Sequence, residues 1–171
     1  MKIWQVLALV VCGLPGVARA EDPNLNRCRV QAEQCSQALI GGAYDKLAEC
    51  THPKVVAMMG GASKMVEKIS VERAKMKTEG VDFLAAAAAL PKELVEVGTE
   101  LYALVPMNLT IKMAAAKYHL KSVFVAWSAD RGKTWKFIDG ANLDDQKIKV
   151  VLPNFPSARI KIPANEPPVK F

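Results

Sequence analysis

The stretch at residues 100–113, ELYALVPMNLTIKM, alternates apolar side chains with mainly polar ones along its length. The apolar positions of this alternation are Leu101, Ala103, Val105, Met107, Leu109, Ile111 and Met113. A period of two is typical of a β-strand, because successive side chains of a strand point to opposite faces. The stretch therefore predicts a long strand with one face towards a core.

Further strands are predicted on both sides of this stretch. Residues 81–90 and 94–97 precede it, and residues 118–127 and 135–139 follow it, with a glycine-containing turn between the last two. Short strand-like segments in close succession favour an antiparallel meander. A helix is the main alternative for residues 81–90, because a run of alanines stands there and alanine favours helices.

The N-terminal half is predicted to be helical. Residues 25–40 and 43–50 repeat apolar side chains at helical spacing, and residues 63–77 form a longer helix that begins with a serine cap, Ser63. Residues 54–59 are expected to form a short strand or extended segment, because a proline ends the helix before them. The fold class is thus α+β, with N-terminal helices packed on a curved antiparallel sheet.

The C-terminal part is predicted to contain one short helix and a tail. Asn142 is expected to cap the helix, which runs through Val151. Residues 153–171 are rich in proline and are expected to lie extended along the surface. A single α+β domain then covers residues 21–152.

The chain begins in the way that secretory signal peptides do. Lys2 precedes an apolar run at residues 3–14, and residues 17–20 have the small-x-small pattern of a cleavage site. The run is shorter than the roughly 20 apolar residues that a transmembrane helix needs. We therefore expect cleavage after Ala20, no membrane span, and a secreted or periplasmic protein. An uncleaved anchor is the alternative.

Composition and motifs argue against several function classes. Removal of residues 1–20 lowers the net charge from +6 to +4, and basic residues alternate with acidic ones, so no nucleic acid partner is expected. No GxSxG, HExxH or GxGxxG motif occurs, which gives no support to hydrolases, metalloproteases or dinucleotide-binding enzymes. The only histidines are His52 and His119, and no CxxC pair occurs, so we expect no metal. No motif indicates a cofactor.

Three cysteines follow the predicted signal peptide. On one helix, the Cα atoms of Cys28 and Cys35 would lie about 10 Å apart, beyond the roughly 7 Å that a disulfide spans. If Gly41-Gly42 turns the chain between two antiparallel helices, Cys50 lies opposite Cys35. A Cys35–Cys50 disulfide is therefore predicted, with Cys28 free or paired between chains.

Three short motifs carry a resemblance to a known family: GGAYDKLAE at residues 41–49, PKVV at 53–56 and GGASKMVE at 60–67. With the order of helices and strands, they resemble the nuclear transport factor 2-like superfamily, which includes ketosteroid isomerase and polyketide cyclases. The similarity covers most of residues 25–140 and suggests an exported bacterial member. It implies an α+β cone, a hydrophobic cavity between sheet and helices, and frequent dimers. No position matches a catalytic motif of the family closely enough to take over its role.

Residues 128–135, SADRGKTW, resemble the Asp-box turn of sialidases and related β-propellers. We expect Asp130 to accept backbone N–H groups across the turn, Gly132 to adopt a positive φ, and Trp135 to pack under the hairpin. A propeller would need repeats of the motif, and the sequence holds one copy. A structural role is therefore expected, and no sialidase activity follows.

The candidate ligand cavity depends on the register of the strands. Turns centred on Ala115 and Arg131 place Met107, Val123 and Asp139 in one row. Other facing pairs in this register are Ile111 with His119 and Leu109 with Lys121. The predicted cavity is lined by Val105, Met107, Val123, Val125, Trp127, Trp135 and Phe137. A shift by one residue would instead turn to this face Tyr118, Leu120, Ser122, Phe124 and Ala126.

Three polar residues, His119, Lys121 and Asp139, would gather at one end of this cavity. Asp139 would act as a base with a raised pKa, His119 as an acid or base, and Lys121 as the group that stabilises an anion. The alternative is structural, because His119 and Lys121 stand near a hairpin end and Asp139 precedes Gly140 as turn residues often do.

The sequence leads us to expect an exported, non-catalytic domain that binds a small apolar ligand or a protein partner in or on the cone. The alternative is an isomerase, dehydratase or cyclase that uses polar residues in the same cavity. A purely structural envelope protein with a filled cone is the third interpretation. A homodimer through the sheet is also expected from the family resemblance.

Overall fold

The computed structural model of the protein describes residues 22–141 and 143–171. The predicted signal peptide at residues 1–20 lies outside the described residues, so its cleavage stays a prediction. In the part of the chain that is described, no helix has both the length and the apolar character needed to cross a membrane.

Helices form the N-terminal half, as predicted: α1 (Pro23–Ile40), α2 (Tyr44–Cys50), α3 (Pro53–Met58) and α4 (Ala62–Thr78). Two local predictions were wrong. The segment at residues 54–59 is helix α3 rather than a strand, because Pro53 occupies the first helical position, where the missing N–H costs nothing. Helix α4 begins after Gly61, which is its N-cap with φ 98°, so Ser63 lies within the helix.

The strands follow the helices: β1 (Val81–Ala88), β2 (Val95–Val97), β3 (Glu100–Met113), β4 (Ala116–Ser128), β5 (Lys136–Asp139) and, near the end of the chain, β6 (Val169–Lys170). They form a curled antiparallel sheet in which β1, β3, β4 and β5 are neighbours in that order. The α+β class and the antiparallel β3–β4–β5 arrangement are confirmed. The helix that was the alternative for residues 81–90 was wrong, because Val81–Ala88 form strand β1, in which Ala86 and Ala88 are buried beneath α1.

The predicted register of the sheet is wrong by one residue. Met113 pairs with Ala116, so the turn between β3 and β4 has two residues instead of the three expected. Met107 therefore faces Ser122 rather than Val123. The other corrected pairs are Ile111 with Tyr118, Leu109 with Leu120, Asn108 with Lys121, and Phe124 with Asp139.

Each face of the sheet packs against a different part of the chain. On the helix-facing side, Ala103, Val105, Met107, Ala126 and Phe137 pack against the N-terminal helices. On the tail-facing side, the opposite one, the buried residues include Tyr102, Val125 and Ile138 with Ile148, Phe155 and Ile160 of the C-terminal part. The domain is therefore a three-layer arrangement with the sheet in the middle.

The C-terminal part takes a larger share in the fold than predicted. Helix α5 (Asp145–Val151) ends where expected, but Asp144 caps it by accepting the N–H groups of Gln146 and Lys147. Asn142, the predicted cap, lies outside the described residues. The tail at residues 153–171 does not simply run along the surface, because Phe155 and Ile160 are buried in the core of the tail-facing side.

The predicted disulfide between α1 and α2 is confirmed. Cys35 and Cys50 are bonded, with their Cα atoms 5.9 Å apart. Cys28 is a free, fully buried thiol, which excludes the alternative of a bond between chains in this conformation. Burial raises the pKa of this thiol to about 12, so it stays protonated and unreactive near neutral pH.

Candidate functional site

The structure does not bring the three predicted polar residues together. His119 and Lys121 lie on the tail-facing side of β4, whereas Asp139 pairs with Phe124, whose ring packs on the helix-facing side. Successive residues of a strand point to opposite faces, so a register shift of one residue separates Asp139 from the other two. Asp139 is exposed as a residue, but desolvation of its carboxylate by neighbouring protein atoms raises its pKa. The Ala141 N–H donates a hydrogen bond to this carboxylate and acts in the opposite direction.

The predicted cavity residues are divided in the same way. Val105, Met107, Trp135 and Phe137 belong to the core of the helix-facing side, where Trp135 and Met107 are each only 1% exposed. Val123, Val125 and Trp127 lie on the tail-facing side. The large side chains of the helix-facing side fill the core between sheet and helices, in which the family resemblance places a ligand. An open pocket of about 780 Å³ lies beside them, between α1, α2 and the segment at residues 134–137.

The Asp-box turn has the structural role that was predicted for it. Asp130 Oδ1 accepts the Thr134 N–H at 2.8 Å, and this bond holds the pKa of Asp130 down at about 2. Gly132 has φ +82°. The Trp135 ring lies beneath, with its Nε1 donating to the Gly132 oxygen at 3.1 Å. The turn also contacts α1, because Gln31 Oε1 accepts the Trp135 N–H at 2.8 Å.

A cleft of about 410 Å³ opens on the tail-facing side, between the β3–β4 pair and the C-terminal part. We call it the tail cleft. Its floor is apolar and is made by Leu104, Pro106 and Val123, while Ile160 and Pro163 form the opposite wall. The remaining lining residues are Lys92, Glu93, Met107, Asn108, Lys121, Ser122, Arg159, Lys161 and Glu166. Of the predicted site residues, Met107, Lys121 and Val123 therefore line this cleft.

The C-terminal residues contribute Pro163 and Glu166 to the lining of the tail cleft. We call residues 163–171 the strap. Within it, β6 pairs with β4 at Tyr118 and His119, and the ring of Phe171 stacks on that of His119 with centroids 3.8 Å apart. Glu166 Oε2 lies 3.2 Å from Lys121 Nζ. His119 is thus a contact of the strap rather than a group aimed into a cavity.

A second pocket, of about 300 Å³, contains a polar cluster that the sequence analysis did not identify. We call it the Glu100 pocket. Glu100 accepts hydrogen bonds from the Tyr102 hydroxyl at 2.7 Å, Trp127 Nε1 at 2.9 Å and Asn154 Nδ2 at 3.3 Å. Burial acts to raise the pKa of Glu100, but these hydrogen bonds outweigh it and lower the pKa, so the group stays anionic.

His52 lies in the same pocket and is buried. Its Nδ1 accepts the Lys54 N–H at 3.3 Å, which caps α3 and leaves the proton of the neutral ring on Nε2. Its ring meets Trp127 edge-on, with centroids 4.7 Å apart. Burial lowers the pKa of His52, Lys54 lowers it further, and Glu100 acts in the opposite direction. The pocket therefore holds a neutral N–H donor beside an anionic carboxylate.

The Glu100 pocket could not have been found from local motifs, because His52, Glu100 and Asn154 are far apart in the sequence. The available signal was His52 before Pro53, and a histidine in this position is typical of a turn. In the described ranges, no group of three or more His, Cys, Asp or Glu side chains is placed to hold a metal ion.

Comparison of the chain with protein-family models, with curated proteins and with solved structures found no match.

Proposed function

We propose that this domain is a non-catalytic binding module that takes a small, largely apolar ligand into the tail cleft. The observation that carries the proposal is a cleft of about 410 Å³ with an apolar floor on rigid strands. Typical small-molecule sites have roughly this size, about 300–1,000 Å³, and combine an apolar lining with a few polar groups. The polar groups stand here at the rim, on Lys92, Lys121 and Arg159.

The construction of the cleft supports the same function. The floor belongs to the longest strand pair of the sheet, β3 and β4, so its shape is held by a continuous ladder of backbone hydrogen bonds. The opposite wall belongs to the C-terminal part, of which Ile160 is anchored in the core and Pro163 is exposed. A fixed floor with a wall that is partly exposed suits a site that must admit and release a ligand.

Titration with N-phenyl-1-naphthylamine, a neutral dye that fluoresces in apolar sites, tests this proposal. The blocking variant is Asn108→Trp, because Asn108 is exposed, lines the cleft and faces Lys121. The matched control is Lys112→Trp, an exposed site on the same face of β3 that does not line the cleft. We expect saturable binding that Asn108→Trp weakens at least about tenfold and Lys112→Trp leaves unchanged. Absence of saturable binding, or equal loss in both variants, would overturn the proposal.

A second candidate is an acid–base enzyme of the isomerase, dehydratase or cyclase type, and the observation that favours it is the shared pocket of His52 and Glu100. It stands second because the lowered pKa of Glu100 makes this carboxylate a weak base. Its test is the conversion of a β,γ-unsaturated ketone to the conjugated isomer, followed by ultraviolet absorbance. Turnover that His52→Asn abolishes would support the enzyme, and equal rates with and without the protein would contradict it.

A homodimer through the sheet stays a prediction. Both faces of the sheet are covered, so such a dimer would have to use an edge. At the edge strand β1, side chains of α1 already bond the backbone, because Gln37 donates to the Ala86 oxygen and Glu33 accepts the Ala88 N–H. These bonds occupy groups with which a second copy would pair.

A further inference from the structure

Glu166 is an acidic side chain of the strap that lines the tail cleft. Its carboxylate lies 3.2 Å from the ammonium group of Lys121, which belongs to the floor strand β4. The strap therefore places a carboxylate beside an apolar cleft, next to a lysine whose chain position is fixed by the sheet.

The charged residues around the cleft are mostly basic. Lys92, Lys121, Arg159 and Lys161 line it, against Glu93 and Glu166. Lys161 has a partner outside the cleft, because its Nζ lies 2.9 Å from Asp145. Lys121 forms its ion pair with Glu166 of the strap. The cleft thus offers an excess of positive charge beside an apolar floor.

The strand of the strap is short and its ion pair is exposed. Strand β6 has two residues, and the side chains of Lys121 and Glu166 keep 70% and 62% of their accessible area. An ion pair between groups so exposed contributes little, because water screens it and both side chains lose rotamer freedom. A second carboxylate could therefore replace Glu166 beside Lys121 at little cost.

We propose that the ligand of the tail cleft is an amphiphile with an apolar body and a carboxylate head, and that Glu166 occupies the position of this head in the structure. The inference rests on the proposed function and adds the chemical class of the ligand. On binding, the carboxylate of the ligand replaces Glu166 at Lys121, while the apolar body lies on Leu104, Pro106 and Val123. Lys121 then determines the specificity for an acidic head, and Glu166 competes with that head for Lys121.

The test compares octanoate with octanol, which have the same apolar chain and differ in the charge of the head. Each is added to protein loaded with N-phenyl-1-naphthylamine, and the loss of dye fluorescence gives its affinity. We expect octanoate to bind more tightly than octanol. Glu166→Gln should strengthen octanoate binding about two- to fivefold and Lys121→Gln should weaken it by a similar factor, with octanol unchanged in both.

The controls carry the same change of charge outside the cleft. Glu96→Gln on β2 and Lys149→Gln on α5 are both exposed and do not line it. They should leave the ratio of octanoate to octanol affinity unchanged. If the dye fails to bind, the proposed function itself fails. If the dye binds in the cleft but octanoate and octanol compete equally, or Glu166→Gln behaves as Glu96→Gln does, the acidic-head inference alone is overturned.

Discussion

Trp127 Nε1 on β4 donates a hydrogen bond of 2.9 Å to Glu100 Oε1 at the start of β3. The other oxygen of Glu100 accepts from the Tyr102 hydroxyl and from Asn154 in the tail. One carboxylate therefore bonds both strands of the central pair to the C-terminal part. Because the tail cleft lies between that part and the same strands, Glu100 helps to hold its wall in place.

Glu100→Gln should destabilise the protein at neutral pH by roughly 1–2 kcal/mol, because hydrogen bonds to a charged acceptor are replaced by weaker ones. The folded-state pKa of Glu100 is below its ordinary value of 4.5, so its contribution is full above pH 4.5 and is lost as the pH falls towards the folded-state pKa. Urea denaturation across this range should show a smaller acid-induced loss in the variant than in the wild type. Equal acid sensitivity of the two would contradict the prediction, and exposed Glu96→Gln is the control.

His52→Asn should remove a second pH-dependent contribution to stability. The folded-state pKa of His52 is below its ordinary 6.5, so stability from the neutral ring is full above pH 6.5 and declines as the pH falls below it. Asparagine keeps a side-chain oxygen that can cap α3, and it does not titrate. Thermal denaturation just below pH 6.5 should therefore show a smaller loss in His52→Asn than in the control His119→Asn. The same loss in both variants would show that another group is responsible.

The long strand was predictable because apolar side chains alternate with polar ones over residues 107–113, with the period of two that is typical of a strand. The register was not, since it depends on a turn that differs by one residue from the expected one. Two-residue hairpin turns usually show glycine, asparagine or aspartate at positive φ, and here the position is taken by Ala114 with φ 52°. An alanine gives no such signal. The length of the turn, shorter by one residue than expected, determines which side chains share a face.

The candidate site was harder to predict than the fold for a related reason. Val123 and Lys121 were named as candidates because they lie on a regular strand, but for a cavity on the opposite face of the sheet. Phe155 and Ile160 form the other side of the tail-facing core, but each stands alone in a proline-rich segment without periodicity. Isolated apolar residues of this kind resemble a surface tail until the core that receives them is known.

Removal of the disulfide by Cys35→Ala with Cys50→Ala should lower the free energy of unfolding by about 3 kcal/mol, because the bond closes a loop of 15 residues in the unfolded chain. A reducing agent should lower the stability of the wild type to a similar extent and leave the double variant unchanged. Guanidinium denaturation with and without the reducing agent measures both effects. If the reducing agent destabilised the double variant equally, the loss of stability would have a cause other than this bond.

Gly140→Ala should destabilise the protein by about 1–3 kcal/mol, the range typical of overpacking in a closed site. Gly140 follows β5, and its N–H donates to the Val123 oxygen at 2.8 Å. A Cβ at this position would lie 2.7 Å from that same oxygen, which is backbone and cannot rotate away. The matched control is Gly41→Ala, where φ is −77° and the nearest atom, the Gln37 oxygen, lies at 3.2 Å. Urea denaturation should show a clearly larger loss for Gly140→Ala. A loss no larger than that of Gly41→Ala would mean that β4 and β5 are less closely held at Val123 than the structure shows.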